Sequence, residues 1–205
     1  MRVLFSVAIC LGLSGVLVAA DADPRHAQSV TATATVTVQV VAPAASSSEI
    51  AVSKLDLSLA AQGGYKARAD RSTAGKPITL GGVVYPQGLG THAKFRMAID
   101  CHGTAKRFTA TVGLDDAGAN KKYPPAAIFR VEGDGKKLWM SPMMHVGDVP
   151  LQIDVDLTGV KQLVLWLRDA KGGDGNDHGD WANATISYEG AVPVAVDRYP
   201  HSSTI

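Results

Sequence analysis

Apolar residues fall on every second position through most of the second half of the chain: Phe95, Met97 and Ile99, then Phe108, Ala110 and Val112, then Leu151, Ile153, Val155 and Leu157. Polar residues such as Lys94, Arg96, Gln152, Asp154 and Asp156 stand between them. A two-residue period puts one set on one face, so each run predicts a strand with a buried side and a wet side. No segment of about twelve residues carries a 3.6-residue apolar period, which argues against helices. Two further runs, 127–131 and 163–167, are nearly continuously apolar and predict central strands covered on both faces. Gly81-Gly82 between Ile78–Leu80 and Val83–Tyr85 predicts a tight hairpin, and Gly133-Asp134-Gly135 predicts a second turn leading into Lys137–Trp139. The fold class is therefore all-β, a sandwich or barrel.

The N-terminus is different. A single basic residue, Arg2, precedes an apolar run from Val3 to Ala20 and then small residues, the form of a secretory signal peptide over residues 1–20. Cleavage after Ala20 or Ala22 both suit the sequence, and either implies a secreted or periplasmic protein with no membrane span left. It would also remove Cys10 and leave Cys101 alone, so no internal disulfide is available. Residues 21–51 form an Ala/Thr/Val/Ser-rich segment. Its Thr/apolar alternation over 30–41 reads as a strand or, given Pro43 and Ser46–Ser48, as a tether. The compact domain is expected over 52–190, with 191–205 as a tail. A chain of 205 residues, 46% of them hydrophobic, suffices for one well-buried core. With 20 basic and 19 acidic residues the net charge is +1, and no basic block suggests nucleic acid as a partner.

Chemistry-capable residues crowd into three expected loops, 88–94 (GLGTHAK), 113–120 (GLDDAGAN) and 169–183 (DAKGGDGNDHGDWAN). The third is rich in the oxygen ligands that suit a hard cation. It is no EF-hand, because counting from Asp174 puts Thr185 where a bidentate glutamate is needed. Asp115 and Asp116 are adjacent and point opposite ways on a strand end, so they cannot by themselves flank one glycosidic bond. Neither a Gly-x-Ser-x-Gly elbow nor a His-Glu-x-x-His pair occurs, and no catalytic role is expected. His92 by itself reads equally as a base, a ligand or a hydrogen-bonding residue.

Four spaced motifs occur together: YPQGLGTH (85–92), GLDD (113–116), GDGKK (133–137) and DHGDWA (177–182). With their flanking segments they resemble the NPCBM domain, a carbohydrate-binding module associated with family 98 glycosyl hydrolases and overlapping family 51 carbohydrate-binding modules. The resemblance covers about Val52 to Gly190. It implies a galactose-binding-domain-like jelly-roll β-sandwich with a sugar site in the loops at one end and a structural calcium at one edge. Carried onto this sequence, it implies sugar contacts from His92, Asp115, Asp116, Asp177, His178 and Trp181, and calcium ligands from Asp70, Ser72 and Asn183. Asn183 stands where the family commonly has Asp, Leu57 where tryptophan is frequent, and Lys121 to Pro125 give the loop after GLDD an unusual basic, proline-rich character. The function expected is an exported, non-catalytic module binding glycans, with galactose-containing ones favoured, alone or beside a separate glycoside hydrolase. The alternative is a structural or adhesive envelope sandwich without sugar affinity.

Overall fold

The computed structural model describes residues 47–63, 65–170 and 175–197. The expected signal peptide and nearly all of the expected linker lie outside the described residues. So do residues 198–205 of the expected tail and 171–174 of the acidic loop. The chain divides after Ala42, and every described residue belongs to the second unit.

Fifteen strands form the described part: β1 (Ser48–Ala51), β2 (Ala61–Gln62), β3 (Arg68–Ala69), β4 (Ile78–Leu80), β5 (Val83–Tyr85), β6 (Gly88–His92), β7 (Phe95–Asp100), β8 (Ala105–Leu114), β9 (Ala126–Gly133), β10 (Lys136–Met140), β11 (Met144–His145), β12 (Leu151–Asp156), β13 (Gln162–Asp169), β14 (His178–Tyr188) and β15 (Val194–Val196). Apart from these, only three single-turn 3-10 helices occur among the described residues. One sheet runs β12-β8-β14-β6-β3, with β1 also on β14. The other runs β10-β9-β13-β7-β15, with β11 on β9 and β2 on β7. The β4–β5 hairpin stands apart, with Ile78 opposite Tyr85 and Leu80 opposite Val83.

The two sheets face each other across one core. From the first come Phe108, Val112, Ile153 and Trp181; from the second come Phe95, Met97, Phe129, Val131, Leu163, Leu165 and Leu167. These are the inward positions of the two-residue pattern, as expected of a sandwich. Trp181 is fully buried and bridges the layers, its ring edge-on to Phe129 at 5.2 Å and tilted against Phe108 at 6.3 Å. Cys101 is also fully enclosed, and burial pushes its thiol up to about 12, so it behaves as a small apolar residue.

Several expectations need correction. GLGTH is the buried strand β6, and DHGDWA runs straight into the long central strand β14. Glycine serves close packing here: a Cβ on Gly90 would lie 2.1 Å from the Arg71 carbonyl oxygen, and one on Gly179 would lie 2.7 Å from Leu167. The expected boundaries also shift. Residues 48–51, expected in the linker, pair with β14 from Ser48 opposite Tyr188 to Ala51 opposite Thr185. Residues 194–196, expected in the tail, add a strand to β7. β9 and β13 are central as predicted, but among the described residues no further layer covers their outer face: Arg96 lies over the Trp166 ring at 4.5 Å, and both remain partly exposed.

Because Trp181 carries contacts from both sheets, Trp181→Ala should cost about 3–5 kcal/mol. Urea denaturation would read this as a large fall in midpoint, and a midpoint close to wild type would show that the core does not depend on the indole.

Candidate functional site

The pairing of β6 with β14 sets His92 directly opposite His178. Cross-strand partners on one face come into contact, and the two imidazoles lie 5.3 Å apart with their planes tilted by 57°. Over His92 lies Tyr65, stacked at 3.9 Å with only 10° between planes. Tyr65 is 50% exposed whereas His92 is 1% exposed, so the phenol caps the buried histidine and turns its own other side to solvent.

The histidine nitrogens are the reactive feature of this cluster. His92 Nδ1 lies 2.5 Å from the Ala93 carbonyl oxygen, to which it donates. His92 Nε2 is buried without a hydrogen-bond partner among the described residues, and so is Nδ1 of His178. Burial, then the neighbouring His92, lowers the His178 pKa against the opposing pull of Asp115, so this ring is neutral at pH 7. Gln62 adjoins the pair, its side-chain oxygen 3.5 Å from the His92 backbone N–H, and its Nε2 likewise has no partner among the described residues. Two buried imidazole nitrogens that find no partner among the described residues, beside a half-exposed phenol, place polar groups and an apolar face close together.

The structure brings together His92 and His178 but gives the other four expected sugar residues different work. Asp115 is fully buried; its two oxygens accept from the backbone N–H groups of Thr79 and Ala117. Asp116 accepts from the N–H groups of Gly81 and Gly82, holding the tip of the β4–β5 hairpin. Asp177 is buried and accepts from the Ala126 N–H, while its own carbonyl accepts from Ala93. Trp181 is a core residue with no face available to a sugar ring. Sequence reasoning missed Tyr65 and Gln62, which precede the motifs and carry no spacing signal of their own. Their role becomes visible only when β2 pairs with β7, Gln62 opposite Phe95.

Asp70 and Asn183 are both tied to the Gln87–Gly88 stretch, but the expected calcium ligands do not fit a divalent cation. The Asp70 N–H donates to the Gly88 carbonyl and the Gly88 N–H donates back to Asp70 Oδ1, while the Asn183 N–H donates to the Gln87 carbonyl next door. Asp70 Oδ2 is taken by the Lys54 ammonium at 3.0 Å. Partial burial raises the Asp70 carboxyl, but Lys54, Ser53 and the Gly88 amide outweigh it and hold it below the usual range. Asn183 is exposed and neutral, and Ser72 is a buried hydroxyl. The set therefore offers one negative charge, already matched by a lysine, where calcium prefers several. Among the described residues no group of three acidic, histidine or cysteine side chains could hold a metal.

Residues 48–187 match the sequence profile of the NPCBM/NEW2 domain. The chain belongs to the NPCBM/NEW2 family. Solved structures of similar shape include CBM51 modules. A CBM51 from Clostridium perfringens GH95 in complex with methyl-galactose superposes with a TM-score of 0.62 at 26% identity, covering 68% of this chain and 99% of that one. The CBM51-2 and INT domains of Clostridium perfringens ZmpB, with CBM51-2 in complex with GlcNAc, superpose with a TM-score of 0.63 at 26% identity, covering 69% of this chain and 32% of that one. In sequence, the chain is 40% identical over 110 residues to a Renibacterium salmoninarum protein named "Putative endo-alpha-N-acetylgalactosaminidase", covering 54% of this chain and 7% of that protein. It is 28% identical to alpha-1,3-galactosidase B of Akkermansia muciniphila, covering 65% of this chain and 17% of that protein. The chain thus spans less than a fifth of the length of either curated relative.

Two outcomes follow from the charges in this NPCBM/NEW2 domain. Melting temperature should be the same in calcium as in chelator; a calcium-dependent rise would show that Lys54 yields its place to the ion. Asp180 is fully buried, and burial first, then the adjacent Asp115 carboxylate, push its carboxyl well above the ordinary range. A raised folded-state pKa stabilises fully only below the unfolded value of about 4 and loses that contribution as pH rises through the folded value. Wild-type stability should therefore decline on going from pH 4 toward neutrality more steeply than that of Asp180→Asn, whose side chain stays neutral. Parallel profiles would sink this assignment.

Proposed function

We propose that this domain is a non-catalytic carbohydrate-binding module of an exported protein, and that Tyr65, His92 and His178 bind a galactose-containing glycan. The observation that carries the reading is the pair of buried imidazole nitrogens that find no partner among the described residues, beside a half-exposed aromatic ring. A pyranose matches both parts, since its C–H face packs on an aromatic ring while its hydroxyls both donate to and accept from neutral histidine. The methyl-galactose complex of the Clostridium perfringens relative supports galactose as the first sugar to test. Non-catalytic action fits the carboxylates, because Asp115, Asp116 and Asp177 each accept from backbone N–H groups as part of the scaffold. The signal-like N-terminus supports export, and the glycosidase names of the relatives support a glycoside hydrolase as the natural companion, attached or separate.

Single-site sugar binding is weak, so titration calorimetry with methyl-galactoside should use millimolar ligand. Tyr65→Ala and His178→Ala should each weaken binding by about tenfold or more while leaving the melting temperature nearly unchanged. Folded wild-type protein that ignores galactose-containing glycans across an array would overturn the reading. Because the neutral His178 ring is the binding form, affinity should hold steady above about pH 6.5 and fall on acidification as the ring takes a proton. Affinity that rises with acid would assign the histidines to a different partner.

A further inference from the structure

Among the described residues two tyrosines are exposed, Tyr65 at 50% and Tyr123 at 59%, whereas Tyr85, Trp139, Trp166 and Tyr188 are only partly so. Tyr65 caps His92. Tyr123 sits on the segment joining β8 to β9, and both ends of that segment are fixed beside His178. At its start Gly118 lies against the histidine: a Cβ added there would come 3.4 Å from the His178 Cβ and 2.9 Å from the Asn176 carbonyl oxygen. At its end the Ala126 N–H donates to Asp177 Oδ1 at 2.9 Å. Tyr123 is three residues from Ala126, a span of at most about 11 Å along the backbone. The segment thus leaves the first sheet beside His178, joins the second beside Asp177, and walls the rim next to the histidine pair. The sheet order β8-β14-β6-β3 puts it on the β14 flank of that pair, while the segment carrying Tyr65 leads into β3 on the β6 flank.

We propose that Tyr123 is a second aromatic platform at the rim of this site, so that the domain takes a glycan of at least two sugars, the first at Tyr65, His92 and His178 and the next against Tyr123. The inference rests on the carbohydrate-binding reading for the first of these contacts. The build of the loop supports the second, because it holds the ring in water instead of folding it under. Asn120 Oδ1 accepts from the backbone N–H groups of Lys122 at 2.9 Å and Tyr123 at 3.1 Å. Pro124 and Pro125 follow, each with φ locked at about −65°, and Pro125 is buried. The Lys122 ammonium lies over one face of the phenol at 5.1 Å, and more than half of the tyrosine still meets solvent. An aromatic ring kept exposed on a stiff loop loses little freedom when the C–H face of a pyranose packs on it, so even a weak stacking contact adds to affinity. A second ring at this distance from the histidines reads the length and linkage of the glycan, which a one-sugar site cannot do.

The test is calorimetry on the whole protein with millimolar ligands, comparing methyl-galactoside with three galactose-terminated disaccharides of different linkage: lactose, lacto-N-biose and melibiose. At least one disaccharide should bind about threefold to tenfold more tightly than methyl-galactoside. Tyr123→Ala should remove that gain while leaving the methyl-galactoside affinity and the melting temperature unchanged. Tyr123→Phe keeps the ring and should keep the gain, whereas Tyr65→Ala should weaken all four ligands. Disaccharides that bind no more tightly than methyl-galactoside would overturn the second platform and leave the first site standing, as would a gain that survives in Tyr123→Ala. A Tyr123→Ala variant that weakens methyl-galactoside as much as the disaccharides would put Tyr123 at the first sugar and overturn the two-sugar reading. Binding of none of the four would overturn both the first site and its extension.

Discussion

The antiparallel contact between β6 and β14 governs the molecule. It runs from His178 opposite His92 to Ala182 opposite Gly88, with Trp181 opposite Leu89 between. At one end it presents the two imidazoles, in the middle it sends Trp181 into the core, and at the other it forms the Gln87–Gly88 stretch to which Asp70 and Asn183 are tied. Glycine makes this closeness possible: a Cβ on Gly88 would come within 2.8 Å of the Trp181 carbonyl oxygen. Side chains of any size there would push the strands apart, and the histidines with them.

Carboxylates, two of them fully buried, form a second tier beneath this contact. Asp115 receives the Thr79 N–H, Asp116 holds the Gly81-Gly82 tip, and Asp177 holds Ala126 at the start of β9. Each crosses at least thirty residues of sequence and satisfies backbone donors that no strand ladder reaches. The motif residues most suggestive of ligand chemistry thus mostly hold the frame. Buried acceptors with fixed geometry keep the loop ends in register, so the exposed Tyr65 is the less constrained part of the site.

The strands with clean two-residue alternation were legible in the sequence because Phe, Met, Ile and Leu on one face have nowhere else to go. β6 was not: Gly-Leu-Gly-Thr-His offers no β-branched run, and its strand character comes from neighbours that approach where side chains are missing. Trp181 misled for a related reason. An aromatic amid Asp, His and Gly looks like a platform, but strand alternation from His178 turns it inward, three positions on. Tyr65 lay beyond reach because it joins the site through a short, irregular segment whose only strand contacts are two residues long on either side.

β1 has a consequence for where this domain can be cut. Its four residues cover β14 from Thr185 to Tyr188, on the side opposite β8. A fragment begun at Val52, where the sequence resemblance starts, would strip that cover and leave a row of backbone donors and acceptors open to water. Such an exposed edge is a template for pairing with any extended chain, including a second copy. The short strand ahead of the motifs is thus a guard on solubility, and its absence from a fragment would announce itself as self-association before any loss of fold.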